Sequence, residues 1–313
     1  MTLPNTYTPA AADSLLTDLY GLFPGQGNQY VGMGKDLYET YPLAKRMYDL
    51  ASDITGHDLT AISFSGPESV QKETLNTQLI TFVHSCVVHA LITEQGNPFS
   101  GFAGHSIGEY AALVAVNSIA YATGVMLVLK RAELMNKISF EKPSLVAILG
   151  ATLAELEEFC DKTNGALTVA LHNAPKKYVI GGLPEAIQEY LPSMPGKKIP
   201  LGVSGPFHTK HYQPIAEEFM TFMKHVAFKE PVLPVYANAT AQPHTQSNIA
   251  ETLAEQLYRP VLWEETMRNM QGDFLEMGPG NSLSKFAKDV HGEVLMLNAH
   301  DQATVEKAKQ YVF

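Results

Sequence analysis

The chain has 313 residues, 45% of them apolar, and a formal net charge of −10. That length supports one large core, or one domain carrying a smaller one, and the apolar content excludes wholesale disorder. The acidic balance argues against a general nucleic-acid binder, because phosphate contacts require a basic face.

Residues 1–20, "MTLPNTYTPAAADSLLTDLY", contain no Lys or Arg and no apolar h-region, so they do not read as a secretory signal. The first 18 read as a loosely ordered extension. No uninterrupted apolar run is expected to span a bilayer, and a soluble cytoplasmic protein is the simplest account. Cys86 and Cys160 have no C-x-x-C companion and read as buried, reduced thiols.

"LYGLFPGQG" (19–27) reads as a short apolar strand broken by Pro24, Gly25 and Gly27. "MGKDLYETYPLAKRMYDLASDI" reads as helix interrupted near Pro42, and "TQLITFVHSCVVHALITEQG" as a core helix. The strand "FSGFAG" leads into Gly104-His105-Ser106-Ile107-Gly108, and "IGEYAALVAV" behind it carries too few charges for a surface helix. Between 143 and 204 the order becomes β-α-β-β-α-β, a ferredoxin-like unit. Its segments are "SLVAILGA", "TLAELEEFCDKTN", "ALTVALHNA", "KYVIGG", "PEAIQEYL" and "KKIPLGVS", with Thr152 and Glu155 at capping-box spacing. The chain then resumes α/β alternation. "HYQPIAEEFMTFMKHVAF" reads as an amphipathic helix with Ile215, Phe219, Phe222 and Val226 on one face. "PVLPVYANATA", helices around 248–271, the strand "DFLEMGPG", a helix from Asn281, the strand "VLMLNA" and a last helix complete it. Such alternation implies a mainly parallel sheet covered on both faces.

The G-x-S-x-G pentapeptide around Ser106 has a mechanical meaning. A strand turning sharply into a helix exposes its serine oxygen where backbone N–H groups can stabilise an oxyanion. A nucleophilic serine needs a base, and histidine suits neutral pH. Among the 11 histidines, His208 is the best candidate, because "SGPFH" is a rigid loop where active residues of α/β folds gather. His105 is expected to point away from the serine, and His84 and His89 to sit in the core. The pair His208/His211 lacks a third metal ligand. "GPGNSLSK" and "GQGNQYVGMG" both fail the phosphate-loop spacings. Arg131, in "LVLKRAELM", must find an anion or snorkel to water, and on composition alone a structural salt bridge is the simpler outcome.

Taken together, "FPGQG", "GHSIGEY", "KRAELM", "HNAPKKYVIGG", "GPFH", "EQLYRP" and "EMGPGNSL" resemble the malonyl-CoA:acyl carrier protein transacylases. The free-standing acyltransferases of polyketide assembly lines are related to these. The likeness runs from about residue 20 to the C-terminus. It implies an α/β-hydrolase-like core over 19–142 and 205–313, with the ferredoxin-like subdomain at 143–204 inserted. It also implies Ser106 as nucleophile, His208 as base, and Gln256 orienting His208 through its main-chain carbonyl. The N–H groups of Gln26 and Ile107 would form the oxyanion hole, Arg131 would grip a malonyl carboxylate, and Asn173 would line the pocket. No cofactor is implied; malonyl-CoA is the substrate and an acyl carrier protein, or a carrier domain of a synthase, the partner.

Two residues depart from the fatty-acid enzymes. Phe207 stands where they usually carry serine; malonyl-specific polyketide acyltransferases often have phenylalanine at this place, and its bulk would crowd an α-methyl branch. Lys177 stands where the family generally has glutamine. Lys176, Lys177, Lys197 and Lys198 are either a solvated face or contacts for CoA phosphates or an acidic carrier-protein helix. The competing enzymatic reading is a hydrolase stripping acyl groups from carrier proteins, although its relatives tend to lack the arginine. A non-catalytic docking module would leave Ser106, His208 and Arg131 without purpose.

Overall fold

The first strand, β1 (Leu19–Phe23), sets the layering of the computed structural model, which describes residues 18–313. Apart from Asp18, the expected N-terminal extension lies outside the described residues. Successive side chains of a strand point to opposite faces. Leu22 accordingly joins one apolar cluster and Phe23 another, on the two sides of a parallel sheet.

That sheet also contains β2 (Gly101–Gly104), whereas β3 (Leu145–Leu149), β4 (Leu167–Ala174), β5 (Lys177–Gly182) and β6 (Lys197–Pro200) form a second sheet. The chain then returns to the first sheet with β7 (Val235–Tyr236), β8 (Asp273–Met277) and β9 (Met296–Ala299). The first sheet runs β7-β2-β1-β8-β9 with every pair parallel. One face is covered by the helices Thr74–Ile92 and Gly108–Ala115, and the other by Trp263–Asn269 and Ser282–His291. From β1 the chain builds towards β7 on one side and later crosses to β8 and β9 on the other. The crevice at the carboxyl ends of β1 and β8 is therefore a topological switch point, where α/β sheets place ligands.

The second sheet is antiparallel with order β4-β5-β3-β6, the expected ferredoxin-like arrangement. It has its own core of Val146, Ile148, Leu156, Val169, Ile180 and Ile187. The Thr152–Glu155 capping box is formed in both directions, which fixes the start of the helix Leu153–Asp161.

Several expectations need correction. The helical segment Thr74–Gln95 is long and apolar enough to cross a bilayer by length and composition, contrary to the reading of the sequence; 83% of its apolar window is buried inside the fold. The helix expected over 211–228 ends at Met223, so Val226 lies beyond it. The strand expected over 197–204 stops at Pro200, and the region 231–241 keeps only the two-residue β7. The helices expected around 248–271 are present as Ile249–Glu255 and Trp263–Asn269. Cys86 and Cys160 are free and buried, as expected.

Candidate active site

The turn from β2 into the helix Gly108–Ala115 explains both glycines of the pentapeptide. A Cβ on Gly104 would stand 2.0 Å from the carbonyl carbon of Gly108, and one on Gly108 would stand 2.1 Å from the Phe23 carbonyl oxygen. Neither position admits a side chain. Ser106 between them is held at φ 51°, the left-handed region that an L-residue rarely adopts. A clamp secures it: the Ser106 N–H donates to Asn238 Oδ1 at 2.6 Å, and Asn238 Nδ2 donates to the Gly104 carbonyl at 2.6 Å.

His208 comes from the loop after β6 and is itself at φ 60°. Its Nε2 lies 2.9 Å from Ser106 Oγ, and its Nδ1 lies 2.7 Å from the main-chain oxygen of Gln256. A carbonyl can only accept, so Nδ1 carries the proton and Nε2 is left bare to receive the serine's. Burial and the neighbouring Arg131 charge push the His208 pKa down to about 3, against the opposing pull of the Gln256 carbonyl. The ring is therefore neutral at physiological pH.

Arg131 projects from the helix Tyr121–Asn136 and is 1% exposed. Its Nη2 donates to Ser106 Oγ at 3.0 Å and to Gln256 Oε1 at 2.9 Å, and its Nη1 donates to Gln78 Oε1 at 2.5 Å. The Tyr110 ring covers one face at 5.5 Å. Every one of these partners is neutral, so the structural salt bridge does not form. Burial draws the guanidinium pKa down, opposed by Tyr110 and Glu109.

Gln256 does more than the resemblance implied. Besides its main-chain contact with His208, its Nε2 donates to the Ser106 carbonyl at 2.9 Å and to Glu109 Oε2 at 2.6 Å. Ser106, His208, Arg131 and Gln256 thus lie in one hydrogen-bonded group. Asn173 meets the site through His105, whose Nε2 lies 2.9 Å from Asn173 Oδ1 and whose ring packs on Trp263. Phe207 is buried with its ring against Tyr212, 5.6 Å between centroids. The Gln26 loop lies beside the turn, where a Cβ on Gly25 would stand 3.0 Å from the His105 carbonyl oxygen. His84 is fully buried against Tyr48, and His89 packs among Phe23, Phe99 and Phe102.

Four residues near the site were not singled out from sequence: Gln78, Glu109, Asn238 and His244. Glu109 carried a usable signal, being the single charge in "IGEYAALVAV" and three positions beyond the serine. Asn238 and His244 carried none, since they reach the turn only through tertiary folding. Lys177 pairs with Asp289 and Lys198 donates to the Pro192 and Met194 carbonyls. Lys176 and Lys197 are exposed.

Gly108→Ala is expected to destabilise the fold by about 1–3 kcal/mol, read as a lowered denaturation midpoint, because backbone must move to admit the methyl. The pH profile of reaction at Ser106 tests the His208 environment. A pKa lowered from 6.5 to about 3 keeps the base unprotonated well below neutrality. The acid limb of kcat/KM, which reports the free enzyme, is therefore expected to be absent around pH 6.5. A limb centred there would contradict a base whose pKa burial and the Arg131 charge hold down.

Known proteins place the chain as a whole. The acyl transferase domain family matches residues 21–284. A malonyl CoA-acyl carrier protein transacylase of Bacillus subtilis (strain 168) is 35% identical over 302 residues, 92% of this chain and 95% of the relative. The crystal structure of the corresponding enzyme, MCAT, from Streptococcus pneumoniae superposes with a TM-score of 0.88 at 33% identity, covering 94% of this chain and all of that one. A malonyl-transacylase solved in complex with a holo type II polyketide synthase acyl-carrier protein gives a TM-score of 0.89 at 29% identity, covering 94% of this chain and 100% of that chain. With its serine turn, its histidine and its two sheets in place, this chain belongs to the acyl transferase family, alongside the malonyl CoA-acyl carrier protein transacylases.

Proposed function

We propose that this protein transfers a malonyl group from malonyl-CoA to the phosphopantetheine thiol of an acyl carrier protein through an acyl-serine. The observation that carries the reading is the meeting of three groups: Ser106 Oγ lies 2.9 Å from His208 Nε2 and 3.0 Å from Arg131 Nη2. A nucleophile, a base and a cation placed to hold a carboxylate stand at one point.

In the first half-reaction Ser106 Oγ passes its proton to His208 Nε2 and attacks the thioester carbonyl. The C–S bond then breaks, and the CoA sulfur leaves with the proton from His208. The second half-reaction runs in reverse: the carrier thiol gives its proton to His208, sulfur attacks the ester carbonyl, and Ser106 recovers its proton. The N–H groups of Gln26 and Ile107 hold the oxyanion in both steps. A neutral carbonyl behind the histidine stabilises the imidazolium less than a carboxylate would. The substrate offsets part of this: burial is the main cause of the lowered His208 pKa, and a malonyl carboxylate on Arg131 cancels the second cause, the guanidinium charge. Each charge-assisted hydrogen bond from the planar guanidinium fork contributes about 1.5–3 kcal/mol, enough to separate malonyl from acetyl.

Other parts of the reading have narrower support. Residues 143–204 act as an inserted subdomain, consistent with the Phe140 N–H donating to the Ser204 carbonyl at 2.5 Å where the two connecting chains meet. The buried Phe207 disfavours an α-methyl branch, and Asn173 shapes the pocket from its contact with His105. Exposed Lys176 and Lys197, rather than the engaged Lys177 and Lys198, meet CoA phosphates or the carrier protein. Free, buried thiols suit a cytoplasmic setting.

Offering the protein a mixture of CoA esters and weighing the trapped acyl-enzyme tests the function. Malonyl on Ser106 is expected, with none on Ser106→Ala, and Phe207→Ala should admit methylmalonyl. Another acyl group on the wild type, or free malonate formed faster than malonyl-carrier, would overturn the reading.

A further inference from the structure

The buried charges around the nucleophile do not balance at first contact. Arg131 is almost fully buried, yet all its hydrogen-bond acceptors are neutral, and its Nε has no partner among the described residues. A buried cation without a counter-charge is strongly unfavourable. The compensating anion stands one residue back. Glu109 is 0% exposed, and Gln256 bridges the two, its Oε1 accepting from Arg131 at 2.9 Å and its Nε2 donating to Glu109 at 2.6 Å. The amide dipole therefore lies with its oxygen at the cation and its nitrogen at the anion.

Glu109 is in turn fixed on its other side. It accepts from His244 Nε2 at 2.7 Å and from the Asn238 N–H at 3.1 Å, and Asn238 is the residue that clamps the serine turn. His244 Nδ1 lies 3.1 Å from Thr252 Oγ1. The single residue Gln256 thus touches the base through its main chain and the cation through its side chain, while Glu109 holds that side chain.

We propose that Glu109 is a positioning residue: through the Gln256 amide it supplies the internal counter-charge of Arg131 and keeps the guanidinium and His208 aligned on Ser106. This deepens the malonyl-transfer reading and rests on it. A direct Glu–Arg pair would occupy the fork. Holding the carboxylate one amide away satisfies the cation while leaving Nη2 directed at Ser106, where the substrate carboxylate arrives. The site is therefore preorganised before malonyl binds.

The test is Glu109→Gln, nearly isosteric but uncharged, assayed for malonyl transfer. We expect kcat to fall about tenfold or more, with KM for malonyl-CoA unchanged or lowered, because the incoming carboxylate then meets an uncompensated cation. A packing role alone would lower Tm and leave both constants of the folded enzyme at wild-type values, which overturns the proposal. Thermal unfolding of Arg131→Ala and of the double variant gives an independent reading. Glu109→Gln should lower Tm in the wild-type background and have little effect, or raise it, once the cation is gone; equal losses in both backgrounds would count against the pairing. If Glu109→Gln does not fold, Gln256→Met removes the bridge and keeps the main-chain carbonyl. It should show the same fall in kcat, and wild-type turnover there would overturn the proposal. Wild-type acylation at Ser106 separates the two levels. Its absence defeats the malonyl-transfer reading itself, whereas acylation with an unaltered Glu109→Gln defeats only the role of Glu109.

Discussion

Placing the Arg131 guanidinium beside a serine hydroxyl, out of reach of solvent, imposes most of the architecture around it. Arginine stays charged in proteins, so burial must be answered by acceptors and by a counter-charge rather than by proton loss. Gln78 from one helix, Gln256 from just beyond the end of another and Ser106 from the turn supply the acceptors. Each comes from a different part of the chain. The cation therefore ties the helix Thr74–Ile92, the helix Tyr121–Asn136, the serine turn and the segment after Ile249–Glu255 into one unit.

The sheet supplies the rigidity that this arrangement needs. β2 ends at the serine turn and its neighbour β1 ends at the Gln26 loop, so the proposed nucleophile and the loop proposed to hold the oxyanion rest on adjacent parallel strands. The loop after β8 leans on the same place, with Ser282 Oγ donating to Asn28 Oδ1 at 3.1 Å. That contact gives "GPGNSLSK", which has no phosphate-loop spacing, a mechanical purpose as a brace. Buried hydrogen-bond networks of this kind are costly when partly satisfied and rigid when complete. Here the network runs from Thr252 through His244, Glu109 and Gln256 to the nucleophile.

What could be read in the sequence follows a physical division. The serine turn was legible because backbone crowding restricts Gly104 and Gly108 to glycine, which leaves a short, local signature. The ferredoxin-like order was legible because alternating strands and a capping box are local too. The partner of Arg131 was not. Composition favoured a salt bridge, and only tertiary folding brings neutral amides to the guanidinium while setting the carboxylate behind one of them. The resemblance named Gln256 for its main chain, yet the side chain's contacts with Arg131, Ser106 and Glu109 required coordinates. The strand end at 197–204 was misjudged because only the Leu201 N–H still donates to the Leu145 carbonyl beyond Pro200, and the half-exposed chain that follows continues as loop.

The central claim is that one guanidinium selects the acyl group that one serine accepts. Its most direct measurement is the ratio of malonyl- to acetyl-enzyme formed by Arg131→Ala from equal amounts of the two CoA esters, relative to wild type. The account predicts that this ratio falls about a hundredfold or more, as loss of two charge-assisted hydrogen bonds requires. A ratio that stays at the wild-type value, with the variant still folded and acylated at Ser106, would contradict it.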